Sequence, residues 1–446
     1  MLMHFLPTPR SRPATRAALL GLLLLTACKT AERVPAQSIA PDANAIRRDI
    51  AYLSDDRLDG RGTGSAGNDS AAAYIAQRYA TLGLSSVLQD VGGPCILKCS
   101  GFLQRFVARS AEMVRNGRPE GMPSQNVVAV VRGRDPALRN QYVVIGAHYD
   151  HLGRSPSGAL DPEAKDAIRN GADDNASGTA AVMELARMFA AQPARRSIIV
   201  ANFSGEELGL LGSQWFVEHA PVSIDSIAAM VNFDMVGRLK NDKLIIYGVA
   251  TAKELPAIVE RANLAPPLVI SAVGDGFGPS DHSSFYTKGI PVLHFFTDLH
   301  DDYHKATDDV EKINAPGEAR VVALAERIVR SIADRESRMT AVRVAAPVAA
   351  AGSREGSNTY LGSIPDMSAG EVPGLRLSGV RAGSPADLGG LQAGDIIVEL
   401  GGKPVKDLYS YTDALYAHKP SEKVAIVYLR GGERRSTDVT LGKRGQ

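Results

Sequence analysis

The chain has 446 residues, of which 44% are hydrophobic and 22% are charged. This length predicts two or three domains, and the composition is typical of a soluble globular protein. The formal net charge is +1, and removal of the first 27 residues, which hold three arginines and no acid, would change it to −2. A charge so close to zero argues against nucleic acid as a partner.

The N-terminus has the pattern of an export signal. Three arginines precede an apolar run over residues 17–25, which is too short to cross a bilayer as a helix. The run leads into LTAC, which resembles the bacterial lipobox, where cleavage precedes a cysteine that then carries lipid. We expect residues 1–27 to be a lipoprotein signal peptide, Cys28 to be lipidated, and a lipid anchor to hold the chain to a membrane. The alternative is a plain secretory signal.

Such a signal places the protein in the bacterial envelope, facing the periplasm, and Lys29 after the cysteine favours the outer membrane. Residues 28–44 are rich in Ala, Pro and polar side chains, which is typical of a tether. Cys95 and Cys99 lie in a stretch over 90–125 that is predicted to be irregular. In an exported protein this pair predicts a small-loop disulfide, with two free thiols as the alternative.

Alternating strands and helices are predicted over most of the chain. Helical patterning begins at Ile46, and an amphipathic helix follows a Gly-rich interruption. The alternation predicts an α/β domain over residues 45–337 with a mostly parallel, helix-covered sheet. The predicted strands span 126–133, 142–148, 197–203, 227–233, 243–249 and 290–296, and the predicted helices span about 68–81, 176–191, 210–220 and 316–337.

Acid and imidazole side chains occur where these strands end. Because the carboxyl ends of neighbouring parallel strands lie along one edge of the sheet, five separate stretches can meet at one cleft. Zinc binds His nitrogen and carboxylate oxygen, and two such ions can act on one peptide carbonyl. The candidate residues are His148, Asp174, Glu206, Glu207, Asp234 and His304.

Taken one at a time, these residues have ordinary explanations. The Glu206–Glu207 pair could be a solvated loop, and Asp173 with Asp174 could cap a helix. His148 could be a hydrogen-bonded buried imidazole. Other candidate ligands lie nearby: His151, Asp173, Asp281, His282, His300, Asp301 and Asp302.

The stretches AHYDH, GADDNASG, SGEELGLLGS, NFDMVG, SDHSSF and YHKATDD resemble, in this order, the motifs of the di-zinc exopeptidases. That family includes bacterial leucyl aminopeptidases, glutamate carboxypeptidases and glutaminyl cyclases. The resemblance implies a three-layer α/β/α fold and two zinc ions. It implies that His148 and Asp234 bind one zinc, that Glu207 and His304 bind the other, and that Asp174 bridges them.

The resemblance also implies the remaining roles. Glu206 would be the general base that activates a metal-bridged water, Asp150 would support the cluster, and Tyr303 would stabilise the oxyanion. His282 would shape the cleft without binding metal. We expect an aminopeptidase that removes N-terminal residues from peptides. The alternatives are a carboxypeptidase of the same family and a non-catalytic peptide-binding envelope protein on a peptidase fold.

Residues 338–357 are Ala-rich and read as a linker, and residues 358–446 predict a compact β-rich domain. The segments YLGSIPD and SGVRAGSPADLGGLQAGDIIVEL resemble a PDZ domain. This resemblance implies that Tyr360, Leu361, Gly362 and Ser363 form a loop that captures peptide C-termini. The alternative is a PDZ fold that serves only as a structural appendage.

Overall fold

A computed structural model describes most of the chain. Cys28, Cys95 and Cys99 lie outside the described residues, as do nearly all of the predicted signal and most of the tether, so these predictions stay predictions. Among the helices that the model describes, none has both the length and the apolar composition of a membrane span. The described residues are 1–2, 39–86, 101–109, 120–155, 158–161, 164–276, 278–343, 359–365, 374–380, 383–406 and 408–443.

An eight-stranded mixed sheet forms the centre of the larger domain, in the order β1-β2-β4-β3-β5-β8-β6-β7. The inner pairs β4-β3, β3-β5 and β5-β8 are parallel, as is the outer pair β6-β7, and the remaining pairs are antiparallel. The strands are β1 Leu103–Ala108, β2 Met122–Val131, β3 Tyr142–His148, β4 Ser197–Phe203, β5 Ile227–Phe233, β6 Lys243–Tyr247, β7 Val269–Ala272 and β8 Val292–Phe296.

Helices cover both faces of this sheet, so the predicted three-layer α/β/α fold is confirmed. Val143 and Ile145 of β3 face one apolar core, and Val144 between them faces the other. Helices α1, α2, α3, α5 and α7 contribute to the first core, and α4 and α6 contribute to the second. They are α1 Ala43–Leu53, α2 Ala66–Thr81, α3 Gly178–Ala191, α4 Leu211–Glu218, α5 Leu255–Ala262, α6 His282–Thr287 and α7 Ala315–Ala333.

The prediction that residues 90–125 are irregular was wrong, because β1 and the start of β2 lie there. β1 is an edge strand that alternates between buried and exposed residues, so its apolar signal is weak. The C-terminal end of the domain also extends beyond residue 337. Met339 belongs to the core, and the Val342 amide donates to the carbonyl of Thr251 over 2.8 Å.

The C-terminal domain is β-rich, as predicted. Its core contains Leu377, Ile397, Leu400 and Ile426. The order β10-β11-β12-β14-β15 makes one sheet, β13 pairs with β12, and β9 pairs with β16. The elements are β9 Thr359–Tyr360, β10 Ser363–Pro365, β11 Leu375–Val380, α8 Pro385–Leu388, β12 Ile396–Leu400, β13 Lys403–Pro404, α9 Leu408–Tyr416, β14 Lys423–Arg430, β15 Glu433–Thr440 and β16 Gly442–Lys443.

Candidate active site

Three of the predicted ligands lie at the end of a central strand or within a few residues after it. His148 is the last residue of β3, and Asp234 directly follows β5. Glu207 lies four residues after the end of β4. β3 pairs in parallel with both β4 and β5, so the three strands end at the same edge of the sheet. These ligand-bearing segments therefore meet at one cleft.

Asp174 and Asp234 lie on the same side of the His148 ring. Nε2 of His148 is 3.4 Å from Oδ1 of Asp174 and 3.4 Å from Oδ1 of Asp234. The other ring nitrogen, Nδ1, is 3.1 Å from the backbone carbonyl of Asp150. Donation of the Nδ1 proton to that carbonyl leaves Nε2 as the ring nitrogen that faces the two carboxylates. His148, Asp174 and Asp234 form the first half-site.

A matching arrangement surrounds His304. Its Nε2 is 3.1 Å from Oδ2 of Asp174 and 3.3 Å from Oε2 of Glu207. Its Nδ1 is 2.9 Å from the carbonyl of Gly158, so Nε2 is again the ring nitrogen that faces the acids. His304, Asp174 and Glu207 form the second half-site, and the two oxygens of Asp174 face different half-sites.

Short contacts hold the segment around Asp174. Oδ2 of Asp308 accepts the backbone N–H groups of Asp173 (2.8 Å) and Asp174 (3.0 Å). The amide of Asn175 donates to the carbonyl of Phe233 over 2.9 Å, which ties this segment to the end of β5. Gly171 has a φ of +56°, and a Cβ there would lie 2.0 Å from the carbonyl oxygen of Asp174, so only glycine fits.

Glu206 lies beside the first half-site. A carboxylate oxygen of Glu206 lies within 4.8 Å of ligand atoms of His148 and Asp234. Burial raises the pKa of Glu206 well above its ordinary value, and the charges of Glu207, Asp234 and Asp281 add to the rise. A carboxylate whose pKa is raised in this way is a better proton acceptor, which is what general base catalysis requires.

The buried acids raise the pKa values of the two imidazoles. Burial alone would lower the pKa of His148, but the carboxylates of Asp234 and Glu206 raise it well above the ordinary value. Burial opposes the same rise at His304, where Glu207 and Asp174 nevertheless bring the pKa to about 9. The acids of this cleft therefore attract nearby positive charge, which a divalent cation supplies.

The donor set and its spacing fit zinc. Each half-site offers one imidazole nitrogen and carboxylate oxygens, with no sulfur, and the donor atoms above lie 3.1–3.4 Å apart. Two ligands about 2.0–2.1 Å from one tetrahedral ion are themselves separated by about 3.3 Å. His148 with Asp234 and Glu207 with His304 would hold the two ions, and Asp174 would contact both.

Comparison with known protein families identifies the two domains. Residues 126–329 match the model of peptidase family M28, and residues 359–441 match the PDZ domain. The chain carries an M28 peptidase domain followed by a PDZ domain. M28 is a family of zinc-dependent peptidases.

Two curated relatives match part of the chain. Leupeptin-inactivating enzyme 1 from Streptomyces exfoliatus is 32% identical over 195 residues, which are 43% of this chain and 40% of that protein. Aminopeptidase YwaD from Bacillus subtilis is 27% identical over 201 residues, which are 43% of this chain and 41% of that protein. The chain thus spans about two fifths of the length of these relatives.

Solved structures share the fold of the M28 domain. A Zn-dependent exopeptidase from Parabacteroides distasonis has a TM-score of 0.52 and 16% identity, covering 66% of this chain and 99% of that one. A leucine aminopeptidase precursor from Bacteroides thetaiotaomicron has a TM-score of 0.52 and 16% identity, covering 66% and 98%. At these identities the likeness establishes the fold alone.

Of the other candidate ligands in the M28 domain, His151 comes closest to the second half-site. Its Nδ1 lies 2.7 Å from Oε1 of Glu207 and 3.8 Å from Oδ2 of Asp174. Oε2 of Glu207 is the oxygen that faces His304, so the two imidazoles contact opposite oxygens of one carboxylate. Burial lowers the pKa of His151 to about 3, so the ring is neutral. Its sequence position did not indicate this contact.

The remaining candidate ligands have other contacts. Asp173 accepts the Gly237 amide and lies 3.1 Å from Nε2 of His300. Asp302 forms ion pairs with Arg238 and Lys312, which removes it from the cleft chemistry. The ring of His282 stacks on that of His294 at a centroid distance of 4.4 Å. Burial raises the pKa of Asp281 to about 7, and Asp301 is exposed.

Asp150 and Tyr303, the predicted helpers, both lie at the cleft. Oδ2 of Asp150 accepts the Thr63 hydroxyl over 2.7 Å, and Oδ1 accepts the backbone N–H of Glu206 over 3.2 Å. Its Oδ1 is 3.8 Å from Nδ1 of His148, so the backbone carbonyl of Asp150 is the closer partner of that ring.

The Tyr303 ring stacks on the ring of His304 at a centroid distance of 3.9 Å. Burial and the cleft acids raise the pKa of Tyr303, so its hydroxyl keeps the proton.

Arg61 is a buried residue of the site that the sequence reading missed. Its guanidinium is fully buried and donates to the carbonyls of Tyr149, Asn170 and Gly171 over 2.6–3.0 Å, and also to that of Leu53. These contacts join the end of β3 to the loop before Asp174. Arg61 lies in the Gly-rich stretch DGRGTG, which marks a turn but gives no indication of what the arginine contacts.

In the PDZ domain, the predicted peptide-binding loop connects β9 to β10. Tyr360 ends β9 and Ser363 begins β10. The Ser363 hydroxyl is 2.5 Å from the hydroxyl of Tyr411 on α9, which places β10 beside that helix. Gly362 has a φ of +82° and lies next to Ser384. The role of this loop stays a prediction.

Proposed function

We propose that this chain is a zinc-dependent aminopeptidase that uses two zinc ions. The observation that carries the proposal is the position of Asp174. Its Oδ1 faces the His148–Asp234 pair, and its Oδ2 faces the His304–Glu207 pair. A carboxylate shared in this way suits two metals roughly 3.5–4 Å apart.

When bound, the two zinc ions supply Lewis acidity that polarises a peptide carbonyl. Glu206 accepts a proton from the attacking water on its carboxylate and later returns this proton to the leaving amine nitrogen. The Tyr303 hydroxyl donates to the carbonyl oxygen as negative charge develops there. Asp150 fixes the backbone of Glu206, and its carbonyl orients His148.

The names of similar proteins support an aminopeptidase. One sequence relative is Aminopeptidase YwaD, and one solved structure with the same fold is a leucine aminopeptidase precursor. A peptide library with mass readout tests the direction of trimming. Peptides with a free N-terminus and an amidated C-terminus should be shortened from the N-terminus, and N-acetylated peptides should survive. Shortening of N-acetylated peptides from a free C-terminus would instead identify a carboxypeptidase.

We also propose that the PDZ domain binds peptide C-termini at the loop from Tyr360 to Ser363 and presents chains to the peptidase. The match of residues 359–441 to the PDZ model supports this. Binding of a C-terminal peptide library to the full chain, with amidated peptides as the control, tests it. Equal binding of free and amidated C-termini would count against carboxylate capture.

We further propose that the protein is an envelope lipoprotein anchored through Cys28. The arginine-led apolar run and the LTAC sequence support this proposal. In a Gram-negative host, the wild-type chain should enter the membrane fraction and incorporate labelled palmitate. Cys28→Ala should do neither, and membrane association that persists in this variant would contradict the proposal.

A further inference from the structure

The second half-site depends on a residue in an unfavourable backbone conformation. His304 has a φ of +54°, which non-glycine residues rarely adopt and which persists only where surrounding contacts enforce it. His304 also lies in a loop beyond β8, so no strand or helix fixes its position. The contacts around this residue therefore decide where its imidazole points.

One segment supplies these contacts at three points. The carbonyl of Gly158 is 2.9 Å from Nδ1 of His304, and the Leu160 amide donates to the carbonyl of His304 over 3.0 Å. Oδ2 of Asp161 accepts the Ala306 amide over 2.8 Å. Gly158–Asp161 thus contacts the His304 ring and the backbone of His304 and Ala306 directly after it.

A buried arginine holds Asp161 in turn. Arg169 is 1% exposed, and its Nε and Nη2 lie 2.7 Å and 2.6 Å from Oδ1 of Asp161. Nη2 also donates to the carbonyl of Asp161 over 2.9 Å. A buried charged pair with this geometry is rigid, because neither partner can leave without exposing an unpaired charge to the interior.

We propose that Asp161, fixed by Arg169, is a positioning residue that sets the His304 imidazole for the second zinc. This inference rests on the proposed function. The two residues touch neither the first half-site ligands nor Glu206 in any contact described above, so their effect should be confined to one ion. Residues that orient a metal ligand change metal affinity by about 10–100-fold when they are lost.

The PDZ domain contains a matched control. Arg430 contacts Asp395 through two nitrogens, each at 2.7 Å, and Asp395 also accepts the Gln392 amide over 2.9 Å. Asp395→Ala therefore removes the same kind of pair from a domain that contributes no zinc ligand to the proposed site. Stepwise zinc affinities of wild type, Asp161→Ala and Asp395→Ala are to be measured by competition with a chelator.

We expect Asp161→Ala to weaken one of the two zinc affinities by about 10–100-fold and to leave the other unchanged, and Asp395→Ala to change neither. Two unchanged affinities in folded Asp161→Ala, or an equal loss of both, would overturn the proposal. Should Asp161→Ala fail to fold, Arg169→Lys carries the same test. It keeps the charge and loses the paired geometry, and an unaltered pair of affinities would again overturn the proposal.

Hydrogen exchange of the zinc-free chain separates this inference from the proposed function. The amides of Leu160 and Ala306 should exchange at least about 10-fold faster in Asp161→Ala than in wild type, because their partners are lost or loosened. Unchanged exchange would overturn the role of Asp161 in positioning His304. A wild-type chain that binds no zinc would contradict the proposed function, and the exchange result would still decide the inference.

Discussion

His148 and Asp234, the ligands peculiar to the first half-site, stand on or directly after β3 and β5 in the centre of the sheet. Glu207 and His304, their counterparts in the second half-site, stand in loops beyond β4 and β8. The sheet therefore positions one pair through its ladder of hydrogen bonds. The other pair relies on individual contacts from His151, Gly158 and Asp161.

This difference implies that the two half-sites are unequal in rigidity although they use similar ligands. Strands buried on both faces open only with the whole domain, whereas loop contacts can open locally. During chelation, the zinc held by loop ligands should dissociate first. Its affinity should also be more sensitive to distant substitutions.

The largest expected effect is a loss of turnover without a loss of zinc from either half-site. Glu206→Gln should retain both zinc ions and lose about 10²–10⁴-fold in kcat, because only the proton acceptor is removed. Elemental analysis and steady-state kinetics measure the two quantities. Glu218→Gln, an exposed position in the same domain, is the control and should match wild type. Near-normal turnover in Glu206→Gln would refute its assignment as the base.

Graded removal of metal compares the half-sites directly. Titration with a chelator should release zinc in two steps, and the weaker step should belong to the His304–Glu207 pair. His304→Ala should lack the weaker step and keep the stronger one, whereas His148→Ala should show the reverse. Loss of the stronger step in His304→Ala would mean that the loops, and not the sheet, hold the tighter ion.

His151 decides how the second half-site is supported. If it orients Glu207, then His151→Gln should weaken one zinc by about 10–100-fold and still bind two at saturation. The imidazole donates to Oε1, and the amide of glutamine can replace part of that contact. Binding of only one zinc at saturation would make His151 a ligand in its own right and would change the assignment of His304.

Much of the first half-site could be predicted because its signals are local. A buried apolar strand followed at once by His148 or Asp234 predicts both the strand and the position of the ligand. The bounds of β3, β4 and β5 agree with the predicted 142–148, 197–203 and 227–233. Asp174 and Glu206 lie in Gly-containing turns before or after such elements, so their positions could be predicted from the sequence in the same way.

The supports of the second half-site could not be predicted, because they are long-range contacts of irregular segments. Asp161 is distant in sequence from Ala306, and Arg61 is distant from Gly171, and no periodicity links either pair. Their burial follows from the tertiary fold and not from residue type, since arginine is seldom buried. The edge strand β1 was missed for a related reason, because a half-exposed strand carries little apolar signal.

The smallest effect on hydrolysis is expected in the PDZ domain. A side chain at Gly362 would require a φ of +82° and would place a Cβ 2.2 Å from that of Ser384. Gly362→Val should therefore abolish binding of peptide C-termini and leave the kcat/KM for dipeptide substrates unchanged. Titration of a labelled peptide and a dipeptide assay on the same sample measure both. A fall in dipeptide hydrolysis would show that the PDZ domain acts on the peptidase itself.

The most direct test of two unequal zinc sites that share Asp174 is anomalous diffraction at the zinc edge from crystals of the zinc-loaded chain. We predict two peaks. One should lie between His148 and Asp234 and the other between Glu207 and His304, with Asp174 in contact with both and lower occupancy at the second after brief chelation. A single peak, or a second peak bound by His151 in place of His304, would contradict it.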